Sequence, residues 1–528
     1  MVPTLLLLVS LAQAADCPAL TAELAAIDAS SHCLTMPLRV AWQRARESHA
    51  ESCLATALEA RGLPTAPLPL APPPSPARFQ PDLLVRDSYD LPNSVESEHF
   101  VAWWGDGSGV ERYAVDDLLD AFEEGWVHEV EGMELPRPET TDAYKFNVYI
   151  GDSGSGAPSV YGNAGYFWYD SDGYPMIVMA LGSLDDEEWG RTTAVHELFH
   201  AVQAATHNYN GSGADWIWEA TATWVEGEVY PESATYASFL FGFAYLPHLP
   251  LDFFDYPDSG ALTEYHQYGA FIFPRYLSEV AHDWTLVRDT WTHGSSGGDP
   301  LAVIDTLLAD RGANLLETWA DFTAHNVAWD YQHGSTYEYV VDSASSYYDN
   351  HWIAASYANA GTEEWHTPTQ RLPERFGVNN IELRYPNDGT LHVELELDDA
   401  GSSGSPATWS ITLVREGQEL VYEPLAVVDG AVVHQVESIG DDTLVWLVVG
   451  ASSAGLRAGE NFGYSYRMWV EPELDTASPE DTGDGGDDDE PRACGCAGAA
   501  PAGGPWVGIL GLAALAGIRR RRGPGPTR

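Results

Sequence analysis

Apolar residues recur at three- and four-residue spacing near the start of the chain, at Leu20, Leu24 and Ile27 and again at Leu54 and Leu58, which predicts helix within residues 17–62. A dense proline run from Leu63 to Pro81, including Pro72-Pro73-Pro74, can neither continue a helix nor donate to a sheet. It reads as an extended linker over 63–84, which makes the helical Cys-containing piece at 16–62 a small appendage outside the main core. Residues 85–335 then carry strand-like runs at His99–Trp104, Lys145–Ile150 and Pro175–Ala180, with an amphipathic helix pattern at Val110–Val130. Helical patterns follow at Trp189–His207, Trp216–Gly227, Tyr265–Val280 and Ala302–Trp329. Strands first and helices afterwards predict an α+β domain with a short mixed sheet. Residues 365–473 change period: Asn379–Tyr385, Thr390–Leu397, Thr408–Val414, Thr443–Val449 and Phe462–Val470 alternate or run apolar between turns. Such spacing predicts an accessory all-β sandwich domain.

The two ends have their own character. Leu5–Val9 followed by Ala12-Gln13-Ala14 reads as a signal peptide over 1–15, hence export into an oxidising compartment. Three of the five cysteines, Cys17, Cys33 and Cys53, lie near the start, so at most one bridge forms among them, with Cys33–Cys53 the expected pair. At the other end, 474–492 is an acidic linker. Residues 493–528 hold Cys494-Gly495-Cys496, an apolar segment Trp506–Ile518 and the block Arg519–Arg522. The 79 acidic against 25 basic residues leave a formal charge of −54. That surface repels phosphate backbones and anionic headgroups, which excludes nucleic acid as a partner and leaves a membrane to the C-terminal tail alone.

The chemistry concentrates in His196-Glu197-Leu198-Phe199-His200. On a helix, positions four apart share a face, so both imidazoles can reach one metal ion, and Glu197 between them can accept a proton from a water the metal holds. The bland alternative is a pair of surface histidines flanking a glutamate. Zinc with three protein ligands keeps a fourth position for water. Glu219, 19 residues beyond His200 in Trp216-Ile217-Trp218-Glu219-Ala220-Thr221-Ala222, can supply the third ligand across the glycine-containing loop 208–213. A metzincin pattern fails residue by residue: Gln203 and Thr206 stand where Gly and His are required. Glu226, seven residues after Glu219 and on its face, is the candidate to orient a ligating imidazole.

These two segments resemble gluzincin (HExxH…E) zinc metallopeptidases, in which a Glu ligand follows on a second helix. Tyr265-His266-Gln267-Tyr268-Gly269 resembles the Tyr-x-x-Tyr-Gly helix of the peptidase-MA-like members. The resemblance covers roughly 99–329, with Met176–Ala180 in the place of the edge strand. It implies one Zn2+ held by His196, His200 and Glu219, with Glu197 as general base. It also implies an oxyanion donor at Tyr268, with His266 and Tyr265 as rivals, and a protein or peptide substrate. The tail resembles the C-terminal sorting signals of myxobacterial surface proteins, which implies processing by a surface-sorting protease and attachment at the cell surface or outer membrane. Were residues 17–80 a pro-region, Cys17 would be the thiol available to mask the metal. The rival of another class is a surface adhesin with a non-catalytic metal site, and a structural zinc site is normally closed by four ligands.

Overall fold

The computed structural model describes residues 20–29, 33–67, 83–345, 353–354, 365–368 and 371–472, apart from breaks at 108, 161–164, 212, 256–261, 282, 385–388, 438, 440–441, 443 and 454–459. The signal-peptide, acidic-linker and tail segments, with Cys17, Cys494 and Cys496, lie outside them, as does most of the proline run. By compactness the chain divides at Glu473, and only the unit before that point contains described residues. Among the described residues no helix is long and apolar enough to cross a membrane.

The fold is α+β with a β-rich C-terminal part. Three helices open it: α1 (Thr21–Ala29), α2 (Thr35–Glu47) and α3 (Glu51–Glu59). A five-stranded mixed sheet follows, made of β1 (Asn93–Glu96), β2 (Phe100–Trp104), β3 (Phe146–Ile150), β4 (Gly165–Tyr169) and β5 (Pro175–Met179) in the order β1-β2-β3-β5-β4. β2, β3 and β5 run parallel, while β1 and β4 are antiparallel edges. The strand expected at the edge, β5, is therefore interior. The real edge is β4, whose run Gly-Tyr-Phe-Trp-Tyr does not alternate because both of its faces are buried.

Side-chain period 2 divides the sheet between two cores. Phe146, Val148, Ile150, Phe167, Ile177 and Met179 face α4 (Arg112–Trp126) and α5 (Glu187–Ala205). On the other face, Tyr149, Tyr166, Trp168, Met176 and Val178 pack with Leu34, Leu38, Trp42, Leu54 and Leu58 of the N-terminal helices. The N-terminal piece is thus no appendage. It is the second layer over the sheet, and each large side chain it covers is worth about 1.5–3 kcal/mol when fully buried. Arg39 of α2 reaches further, pairing with Asp215 at 3.2 Å and lying 4.1 Å over the Trp218 ring.

Beyond α5 and α6 (Asp215–Val229), the expected single helix at 265–280 is broken into short turns, Leu262–Tyr265, His266–Gly269, Ile272–Tyr276 and Leu277–Ala281. Pro274 has no N–H to give the carbonyl four residues back and its ring crowds that turn. The expected helix over 302–329 is likewise two. α8 (Pro300–Asp310) ends before Gly312 at φ +81°, and α9 (Leu315–Ala328) begins on the Asn314 cap; α7 (Trp284–Thr292) precedes them and α10 (Gly334–Ala344) follows.

The C-terminal strands are β6 (Ile353–Ala354), β7 (Gly377–Arg384), β8 (Gly389–Leu397), β9 (Ala407–Glu416), β10 (Leu420–Pro424), β11 (Ala431–Val436), β12 (Leu444–Ser453) and β13 (Tyr464–Pro472). They form sheets of order β10-β9-β12-β7-β6 and β11-β8-β13, antiparallel but for the two-residue β6. Ile381, Leu413 and Leu447 from the first meet Leu391, Val393 and Tyr466 from the second. The outer face of the first sheet is also used: Val414, Trp446 and Val448 join the main core, and Trp319 of α9 lies against Gly450. This sandwich is fused to the α+β part rather than tethered to it.

Candidate metal centre

Helix α5 starts on Asp186, whose carboxylate accepts the Trp189 amide, and Glu187 and Glu188 in its first turn suit the positive end of the helix dipole. It runs through the core between α4 and α6, and it passes close to α4 where Gly125 meets Leu198 and Val195. Val195, Leu198, Phe199 and Val202 fill that core, and the stripe left over carries His196, Glu197 and His200. Helix α6 brings Glu219 and Glu226, two turns apart on one face, toward this stripe. The loop joining α5 to α6 is pinned: the Tyr209 hydroxyl donates to Thr290 O at 2.7 Å and Trp218 Nε1 donates to Tyr209 O at 3.1 Å.

The structure brings the three predicted donors together. His196 Nε2 lies 3.1 Å and His200 Nε2 3.6 Å from Glu219 Oε2, and all three residues are buried. Burial pushes the Glu219 carboxyl up, but the two imidazoles beside it outweigh that and hold the group down at about 2. The ring nitrogens facing away are also engaged. His196 Nδ1 meets Glu226 Oε1 at 2.7 Å, and His200 Nδ1 meets Gln203 Oε1 at 2.7 Å, which leaves both Nε2 atoms aimed at the common point. Gln203 is in turn fixed by donating to Trp218 O and Thr221 Oγ1. His200 Nε2 is a buried nitrogen with no hydrogen-bond partner, the condition expected of a metal ligand's donor atom.

A fourth residue that sequence reasoning missed completes the cluster. Cys33 keeps its thiol and is buried, and one donor atom from each of Cys33, His196, His200 and Glu219 fits within 4.8 Å of every other. A tetrahedral ion with bonds of about 2.0–2.3 Å spaces its donors roughly 3.3–3.8 Å apart, so the group can hold one metal ion. The expected Cys33–Cys53 bridge is not formed, since Cys53 is disulfide-bonded while Cys33 is not. Nothing in sequence spacing marks Cys33, which stands 163 residues before His196.

Glu197 sits under edge strand β4. Its Oε2 accepts the Phe167 amide at 2.9 Å and the Thr35 hydroxyl at 3.0 Å, while Oε1 is buried without a partner. Gly165 permits this approach, because a Cβ there would stand 2.8 Å from Val178 O and 3.4 Å from Glu197 Cγ. A cavity lined by Cys33, Trp189, Thr193, His196, Glu197 and Tyr268, among others, opens above the cluster. Tyr268 lies at its wall, 6.3 Å from the His196 ring and stacked on Phe239. His266 is not brought to the cavity. It packs against Phe243 and Phe253, and burial lowers its imidazole to about 3, so it is neutral there. Tyr265 packs against Phe239 and Phe241. His207, at the helix end, pairs with Glu139 at 3.2 Å.

No curated protein matches the chain. One solved structure with some likeness is a family GH115 4-O-methyl-α-glucuronidase with specificity for decorated arabinogalactans, at 9% identity over 64% of this chain and 53% of that one, with a TM-score of 0.14. The chain thus spans about half of that enzyme, and at that score the likeness carries no argument. A family model matches residues 79–457, which takes in the mixed sheet, α5, α6 and most of the sandwich. The chain belongs to that family, a family of unknown function (DUF6055).

Proposed function

We propose that this protein is an exported, surface-tethered zinc metallohydrolase that cleaves peptide bonds. One observation carries the reading: two imidazoles and the Glu219 carboxylate converge on a point, with the Glu197 carboxylate beside them on the same helix. Zinc bound there supplies Lewis acidity and a water made acidic enough to attack at neutral pH. His196 and His200 would hold it through Nε2, each kept in one tautomer by Glu226 or Gln203. Glu197 takes the proton of the attacking water at its carboxylate and returns it to the leaving amine. Tyr268, which lines the cavity, would donate to the developing oxyanion. The export signal and sorting tail read from the sequence favour a site outside the cell.

A second reading is favoured by Cys33. Four donors close a site, as in structural zinc centres, and a closed site suits a surface adhesin. Metal analysis together with hydrolysis of casein or a peptide library separates the two, run on the full chain and on its Cys33→Ala form. The peptidase reading expects one zinc per chain and turnover that Glu197→Gln abolishes while zinc stays bound; Glu219→Ala loses the zinc. Equal turnover with Glu197→Gln removes Glu197 from the mechanism. Stoichiometric zinc with no hydrolysis in either form supports the adhesin.

A further inference from the structure

A metal-assisted hydrolase needs three things free: a coordination position for water, its general base, and an edge where an extended substrate can lie. In this chain three consecutive residues engage all of them. Cys33 places its sulfur among the three other donors. Leu34 N–H donates to Gly165 O at 3.2 Å, and Cys33 bridges Gly165 in parallel fashion, so the segment lies along edge strand β4. The Thr35 hydroxyl donates to Glu197 Oε2 and accepts the Phe167 amide at 2.8 Å. The cavity that remains beside them has enclosed room for about one water molecule.

We infer that Cys33 is the fourth metal ligand and that residues 33–35 hold a latent site shut. The word latent rests on the metallohydrolase reading; the ligand assignment does not. A thiolate beside two imidazoles and a carboxylate is an ordinary zinc donor set. Opening would be a ligand exchange, in which Cys33 gives up the metal, takes a proton from solvent and leaves its position to water. The gate is the short segment rather than the whole N-terminal layer. Removing that layer would bare Tyr149, Tyr166, Trp168, Met176 and Val178 and strand Asp215 without Arg39. Cys17, the thiol suggested by counting cysteines, is not needed for this role.

The test uses the full chain loaded with cobalt(II) in place of zinc. Parent protein should show thiolate-to-cobalt charge-transfer absorption, and Cys33→Ala and Cys33→Ser should each lose it while keeping the metal. Acetohydroxamate, a small metal-binding probe, should perturb the visible cobalt bands of both variants and leave those of the parent unchanged. Hydrolysis by zinc-loaded Cys33→Ala should exceed that of the parent by about tenfold or more, as expected if the parent's competent fraction is about a tenth or less. Absence of the charge-transfer band in the loaded parent overturns the ligand assignment, and equal probe response in parent and variants overturns the closure. If the band and the probe behave as expected but no form hydrolyses peptides, the peptidase reading falls and the Cys33 assignment stands.

Discussion

The contact between Glu226 and His196 allows the sharpest quantitative test of the metal centre. Both side chains are almost dry, with 4% and 6% exposure, and the Nδ1···Oε1 distance is 2.7 Å. Glu226→Ala leaves the Nδ1 donor unpaired in a buried site, a cost of about 1–3 kcal/mol. It also frees the ring to turn Nε2 off the common point. Loss of such an orienting partner weakens metal binding about 10- to 100-fold, or about 1.4–2.7 kcal/mol, so the two routes agree. Glu226→Gln keeps an acceptor oxygen and gives up only the charge, so it should fall at the low end, near tenfold. Competition for zinc against a chromophoric chelator measures both. The metal-free thermal midpoint is the control. Burial pushes the Glu226 carboxyl up despite His196, and Glu197 and Glu219 add negative charge nearby, so removing it relieves repulsion in the apo protein. That relief offsets part of the cost of the unpaired imidazole, so the metal-free midpoint should change little while zinc affinity drops. Zinc affinity of Glu226→Ala within about twofold of the parent would show that His196 is not oriented by this contact.

Other consequences are open to measurement. Arg39→Met strands the buried Asp215 carboxylate and removes the guanidinium from Trp218, so unfolding free energy should drop by about 3–5 kcal/mol in denaturant titrations. A drop below about 1 kcal/mol would return the N-terminal helices to the status of an appendage. Glu129 is fully buried beside α5 with neither oxygen hydrogen-bonded, and burial holds its carboxyl well above the usual range. The folded state therefore binds more protons than the unfolded one above the unfolded pKa of about 4.5, and stability declines as pH rises from there. Glu129→Met should raise the thermal midpoint at pH 8, with the gain shrinking toward pH 4.5; a pH-independent effect would contradict the assignment. Gly165→Val should cost about 1–3 kcal/mol or more through contact with Val178 O and crowd Glu197, seen as a lower thermal midpoint even without metal.

Local pattern accounts for a good part of this molecule. The His-Glu-x-x-His spacing on an apolar-flanked helix, and the Trp-flanked Glu219 after a turn-forming loop, mark three donors and their neighbouring carboxylate from sequence alone. Glu226 followed from helical period alone. The alternation in 365–473 likewise announced paired sheets. Each of these rests on a repeat within one element, where neighbours in sequence are neighbours in space. What tertiary structure alone decided is whatever depends on contacts between distant segments. β4 escaped notice because a strand buried on both faces shows no alternation, although it is the edge that donates to Glu197. The N-terminal helices looked detachable because the proline run after them says nothing about what their apolar faces cover. Above all, Cys33 meets His196 from 163 positions away in sequence, because α2 docks on the sheet and the segment before it pairs with β4. No spacing rule encodes that meeting; packing of the N-terminal layer makes it, and with it the difference between a cluster of three donors and one of four.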